Sequence, residues 1–139
     1  MTQTPYHKKA VTVTKIFTFD SAHRLDDYVG KCANLHGHTY KLEVSVKGYT
    51  DHRGIVVDFG DIKKIVNEQI IAKYDHRFLN DLMAFNTTAE NMVVHFFALI
   101  DDYLKQLDNP TPIALQRVRL WETPSAYAEL TREDYDAAE

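Results

Sequence analysis

The stretch Cys32-Ala33-Asn34-Leu35-His36-Gly37-His38-Thr39-Tyr40-Lys41-Leu42-Glu43-Val44-Ser45-Val46-Lys47 decides the architecture, because one thiol and two imidazoles lead straight into an alternating run. His38, Tyr40, Leu42, Val44 and Val46 fall on one face; Thr39, Lys41, Glu43, Ser45 and Lys47 fall on the other. That is the period of a half-buried strand. If the strand already begins at His36, the two imidazoles project to the same side about 6.6 Å apart, close enough to converge on one ion with bonds of about 2.0–2.1 Å. Gly37 between them blocks neither face and permits a bulge.

A third ligand must come from elsewhere, and His7, His23, His52, His76 and His95 are available. His23 is the best placed. It lies just past Val11–Phe19, a β-rich run suited to pair with the His38 strand. Three neutral imidazoles leave the fourth tetrahedral position of zinc open, the arrangement of a catalytic site. A His-x-His pair by itself is common and binds no metal in most proteins that contain it.

The chain has 139 residues, the length of one domain, and its hydrophobic content of 45% and charged content of 26% are ordinary for a globular protein. The expected domain spans residues 1–139, with a core over about 11–130 and an acidic, poorly ordered tail over 131–139. A net charge of −4 with no basic run argues against a nucleic-acid partner. Cys32 is the single cysteine, so no intrachain disulfide forms. The opening residues Met1–Ala10 are polar and unlike a secretory signal, and no apolar run approaches a membrane span. These features predict a cytoplasmic location.

Downstream, Ile55–Phe59 reads as a short returning strand. Ile62, Ile65, Val66, Gln69 and Ile70 then form a helical stripe, predicting a helix from about Gly60 to Tyr74 with Asp58 or Asp61 as N-cap. Asp75-His76-Arg77-Phe78-Leu79-Asn80 follows in a loop. Thr87-Thr88-Ala89-Glu90 reads as a capping box opening a second helix with Val93, Phe97, Ile100, Leu104 and Leu107 on one face. His95 and Met92 on that helix read as packing or surface residues. In Ile113–Thr123, Val118, Leu120 and Glu122 share a face, so a buried Glu122 requires a donor partner. Ala126–Leu130 adds a short last strand. The order ββααββ predicts an α+β fold, a four-stranded antiparallel sheet with two helices on one face. Its open edges predict assembly with other subunits.

Ser21-Ala22-His23-Arg24-Leu25, Cys32 spaced three residues from His36-Gly37-His38, Asp75-His76 with Leu79-Asn80, Thr88 with Glu90, and Glu122-Thr123 together resemble the 6-pyruvoyltetrahydropterin synthase superfamily over about Phe17–Tyr127. The short spacer resembles the bacterial branch, the 6-carboxy-5,6,7,8-tetrahydropterin synthases of queuosine biosynthesis. The resemblance implies a tunnelling fold (T-fold) whose sheets join into a barrel. It also implies a homo-oligomer, a hexamer or similar, with active sites at subunit boundaries. His23, His36 and His38 would hold Zn2+, Cys32 would transfer a proton with Asp75 and His76 as its relay, and Glu122, Thr88 and Glu90 would bind the pterin. The implied substrate is 7,8-dihydroneopterin triphosphate, and the implied products are 6-carboxytetrahydropterin, acetaldehyde and triphosphate. Many relatives carry proline where this chain has Thr87, and serine or threonine where it has Ala89.

Two other functions fit the same residues. A 6-pyruvoyltetrahydropterin synthase would eliminate triphosphate without losing acetaldehyde. A non-catalytic assembly module would use Cys32 as the fourth ligand of a structural zinc. An iron oxygenase is disfavoured by the three histidines and the thiol.

Overall fold

Alternation between apolar and polar side chains produces the two longest strands. In the computed structural model, which describes residues 4–139, β1 (Ala10–His23) and β2 (His36–Tyr49) pair antiparallel from Ala10↔Tyr49 to His23↔His36. Residues 1–3 of the polar opening segment lie outside the described residues. Both strands extend past the expected Val11–Phe19 and His38–Lys47, and the extension brings His23 and His36 onto paired backbone beside His38. Phe17, Phe19, Tyr40, Leu42, Val44 and Val46 point into the core, while Thr12, Thr14, Ile16 and Thr18 point outward. Each such core side chain contributes about 1.5–3 kcal/mol by leaving water.

The strand β3 (Arg77–Phe78) adds parallel to β1, β4 (Ile113–Thr123) joins β2, and β5 (Ala126–Thr131) joins β4, giving the order β3-β1-β2-β4-β5. The four long strands are the expected antiparallel sheet; the two-residue parallel edge is an addition. Gly37 sits in regular register opposite Ala22, and the irregularity in β2 falls instead at Ser45/Val46 against β4.

Ile55–Phe59 is not a strand. The Asp51 carboxylate accepts from the backbone N–H of Arg53 (2.8 Å) and Ile55 (3.1 Å), winding the chain into a turn. Val56 and Val57 are nonetheless buried, and the Val56 carbonyl accepts from Asn109. A continuous apolar run has no period to separate a strand from a buried loop.

The first helix is where its stripe places it. α1 (Phe59–Val66) is capped by the Asp58 carboxylate, which accepts from Gly60 N–H at 2.8 Å. It continues through a π-helical stretch, Asn67–Ile71, into the single turn α2 (Ala72–Tyr74). Ile62, Val66, Ile70 and Tyr74 are its buried line. α3 (Ala89–Lys105) buries Met92, Val93, Phe96, Phe97, Ile100 and Leu104, and His95 accepts or donates a 2.9 Å hydrogen bond with the Tyr74 hydroxyl. α3 packs on β4 and β5, and α1 packs on α3 and β1, so the helices cover one face of the sheet. Among the described residues no helix is long and apolar enough to cross a membrane.

Two expectations at the helix ends are corrected. The N-cap of α3 is Thr88, whose hydroxyl accepts from Asn91 N–H at 3.1 Å; Thr87 is fully buried and faces β1 instead of starting a capping box with Glu90. The acidic tail is folded at its start. Thr131 caps α4 (Arg132–Asp136), Tyr135 stacks on Phe97 with ring centroids 4.5 Å apart, and Arg132 bonds the buried Asp101 at 2.5 Å. Two side chains with deep partners outweigh the local excess of acidic residues.

Candidate metal centre and neighbouring dyad

Strand register assembles the first cluster. His23 and His36 are directly opposed at the open end of the β1–β2 pair, and Ser21 opposes His38. Residues directly opposite on antiparallel strands project to the same face with Cβ atoms about 4.5–5.5 Å apart. All three imidazoles therefore point inward, with ring centroids 4.5, 5.1 and 4.8 Å apart for His23–His36, His23–His38 and His36–His38.

Their ring nitrogens are used asymmetrically. His23 Nδ1 lies 2.8 Å from the Thr87 carbonyl and His36 Nδ1 2.7 Å from the Asn34 carbonyl, so both rings donate there and present a bare Nε2. All three Nε2 atoms are buried: that of His36 meets no partner, and those of His23 and His38 meet only the Glu122 carboxylate, at 3.5 and 3.0 Å. Carbonyl-anchored imidazoles with convergent free nitrogens are the usual outer support of a metal site. Orphaned buried nitrogens cost free energy unless something binds them. The donor set thus fits a divalent cation such as zinc.

Glu122, on the inward face of β4, completes the group. Its Oε1 lies 3.0 Å from His38 Nε2 and 3.5 Å from His23 Nε2, and the donor atoms of His23, His36, His38 and Glu122 all fall within 4.8 Å of one another. Contact with the His23 imidazole lowers the Glu122 carboxyl below its ordinary range, against the upward push of burial and with help from His38. Burial pulls His38 below the ordinary imidazole value, opposed by Glu122 and reinforced by the other two rings. A neutral imidazole is the form that ligates.

A second cluster, Asp20, Asp75 and His76, lies at the same end of the sheet on the outward side. Asp75 Oδ1 accepts from Asp20 N–H at 2.9 Å and lies 3.0 Å from His76 Nδ1. The Asp20 N–H, followed by His76, holds the Asp75 carboxyl below its usual value against partial burial. His76 sits at φ 57, a left-handed conformation that costs a non-glycine residue about 1 kcal/mol or more. Its N–H donates to the Asp20 carbonyl at 2.6 Å, and Ser21 Oγ donates to the Tyr74 carbonyl, so β1 holds the turn in place. An open cleft of about 480 Å3 is lined by His76 and Arg77 on one wall and by Gly37 and His38 on the other.

Cys32 is partly buried in a short 3-10 turn and belongs to neither cluster, which argues against it as a fourth metal ligand. Glu90 and Glu122 line one cavity of about 390 Å3 with Ala89 and Tyr127, while the Thr88 hydroxyl caps α3. Several supporting residues were not evident from sequence. Thr87 and Asn34 act through backbone carbonyls that any residue carries. Asp20 acts through its carboxylate, which accepts from Thr39 Oγ1 at 2.5 Å, as well as through its backbone. Asn80 and Asn86 clamp the backbone of Arg24 and Asp26 by paired amide bonds of 2.9–3.1 Å; the Asn80 in the Asp-His motif was the available signal.

A family model described as 6-pyruvoyl tetrahydropterin synthase matches residues 12–133. The 6-carboxy-5,6,7,8-tetrahydropterin synthase of Haemophilus influenzae is 34% identical, covering 84% of this chain and 96% of that protein. The enzyme of the same name from Rickettsia bellii is 28% identical, covering 86% and 99%. The solved structure of Caenorhabditis elegans 6-pyruvoyl tetrahydropterin synthase superposes with a TM-score of 0.76 at 28% identity, over 94% of this chain and 99% of that one. The α+β architecture is therefore that of the T-fold.

Proposed function

This chain belongs to the 6-pyruvoyl tetrahydropterin synthase family, and from that premise we propose that it is a zinc-dependent 6-carboxy-5,6,7,8-tetrahydropterin synthase. It converts 7,8-dihydroneopterin triphosphate and one water to 6-carboxytetrahydropterin, acetaldehyde and triphosphate, a cytoplasmic step of queuosine biosynthesis. The observation that carries the proposal is the convergence of three buried imidazoles, His23, His36 and His38, whose ligand atoms lie within 4.8 Å of one another and of a Glu122 oxygen. The names of the relatives and the three-residue spacer between Cys32 and His36 favour the carboxy product.

Bound zinc would supply Lewis-acid stabilisation of negative charge on the side-chain oxygens of the substrate. The protein's own residues do the rest. Glu122 accepts two parallel N–H groups from the pterin ring, and an analogue lacking them leaves a part-buried carboxylate unpaired. Thr88 and Glu90 flank that ring at the start of α3. The Cys32 thiolate takes a proton from the substrate side chain. Asp75 holds His76 by Nδ1, leaving Nε2 to exchange a proton as acid or base.

The uncovered sheet face and open edges favour a homo-oligomer with sites at subunit boundaries. Such an arrangement would bring a neighbour's groups to Cys32, which joins neither cluster in its own chain.

Incubating zinc-loaded protein with 7,8-dihydroneopterin triphosphate tests the assignment by product analysis. Acetaldehyde and triphosphate in equal amounts are expected. Triphosphate without acetaldehyde would transfer the assignment to the pyruvoyl reaction, and neither product would remove it.

A further inference from the structure

We propose that Glu122 is a fourth protein ligand of the bound cation at rest and leaves it when a pterin ring arrives, so that recognition of the ring opens the coordination position the substrate side chain takes. The inference rests on the pterin reading above for the arriving molecule. The geometry on the protein side stands independently of it.

Bonds of about 2.0–2.1 Å at tetrahedral angles place neighbouring donors about 3.3–3.4 Å apart. Glu122 Oε1 lies 3.0 Å from His38 Nε2 and 3.5 Å from His23 Nε2, on either side of that spacing, and all four donor atoms fall within 4.8 Å of one another. The imidazole edges that face this carboxylate are the same ones that a bound cation would occupy. The position follows from register: Trp121 opposes Lys41 on β2, which puts Glu122 on the inward face one step from His38. Among the described residues no Lys or Arg pairs with it, and His23 and His38 are the groups at ion-pair distance.

Glu122 also has somewhere to go. It borders both the cavity of about 390 Å3 shared with Glu90 and Tyr127 and a second of about 440 Å3 lined by His38, Lys41 and Trp121. A rotation of its side chain exchanges the imidazole edge for either space. Closed four-ligand sites are structural and three-ligand sites are catalytic. An exchangeable carboxylate gives both states in one site, and a ring with two donors selects the open one.

The test uses the full chain reconstituted with zinc and, separately, with cobalt(II), together with the variants Glu122→Gln and Glu122→Asp. Chelator competition should show zinc bound about tenfold or more weakly by both variants, because Asp keeps the charge but withdraws the oxygen by one methylene. The visible spectrum of the cobalt protein should differ between wild type and both variants. Saturating neopterin should shift the wild-type spectrum. Unfolding midpoints of the metal-free proteins should agree, separating ligation from damage to the fold. Wild-type affinity in Glu122→Gln, wild-type affinity in Glu122→Asp alone, or a wild-type cobalt spectrum unmoved by saturating neopterin would each overturn the proposal. Absence of acetaldehyde from loaded wild type would sink the synthase assignment and leave these metal measurements standing.

Discussion

The two histidine clusters occupy opposite faces of one strand end and satisfy their polar atoms in opposite ways. On the inward side, His23 and His36 tie Nδ1 to carbonyls, and all three imidazoles present a buried Nε2 that meets no partner other than the Glu122 carboxylate. On the outward side, Asp75 and His76 bond each other and the β1 backbone, with the His76 side chain 77% exposed. The difference separates two chemistries. Buried imidazole nitrogens gathered around a carboxylate call for a cation, whereas an exposed, well-anchored imidazole is suited to trading protons.

The largest effect that would break this contrast falls on the inward cluster. His23→Ala should weaken zinc binding by more than about 100-fold, since even outer partners of metal ligands cost 10–100-fold. Metal content after dialysis checks it, and retention of zinc would deny the cluster its role. Cys32→Ala should lower turnover by about 10²–10⁴-fold with zinc content unchanged. Loss of zinc from that variant would instead make the thiol a ligand. Asp75→Asn should cost about 10²-fold in turnover, again with metal unchanged, because the amide keeps the shape but not the anchoring of His76.

Away from both clusters, Asp101 offers a buried charge met by two cations, Arg132 and Lys105. Burial pushes its carboxyl up, but Arg132 and Lys105 outweigh burial and hold it below 3.8. Asp101→Asn should reduce stability by about 1–3 kcal/mol near neutral pH. A depressed folded-state pKa stabilises fully above the unfolded value and is lost as pH falls through the folded one. The gap between variant and wild type in thermal unfolding should therefore be flat above about pH 5 and shrink below 3.8. The smallest effect is expected from Gly37→Ala. An added Cβ would meet only the Ser21 carbonyl at 3.8 Å, so stability should stay within about 0.5 kcal/mol while turnover drops from crowding of the clefts beside His38.

Legibility followed periodicity. The alternation of Tyr40, Leu42, Val44 and Val46, and the four-residue steps Ile62, Val66 and Ile70, are recoverable because each residue's side depends on its neighbours in sequence. Ile55–Phe59 has no period, and the Asp51 side chain that winds it lies outside the run. Thr87 and Thr88 offer equivalent caps by sequence; what separates them is that β1 needs the Thr87 carbonyl for His23. Arg132 and Tyr135 look like part of an acidic tail until Asp101 and Phe97, a helix away, receive them.

By itself the sequence determined the alternating strands, the amphipathic helices, the His-x-His pair, and the ordered motifs that resemble one enzyme family, because these depend on local spacing along the chain. Tertiary structure alone decided that His23 stands opposite His36, that Glu122 reaches from β4 to the imidazole nitrogens of His23 and His38, and that Asp20 holds the Asp75–His76 turn. The reason is physical: strand register and packing bring together donors that are remote in sequence, and whether a buried nitrogen is satisfied depends on every element around it.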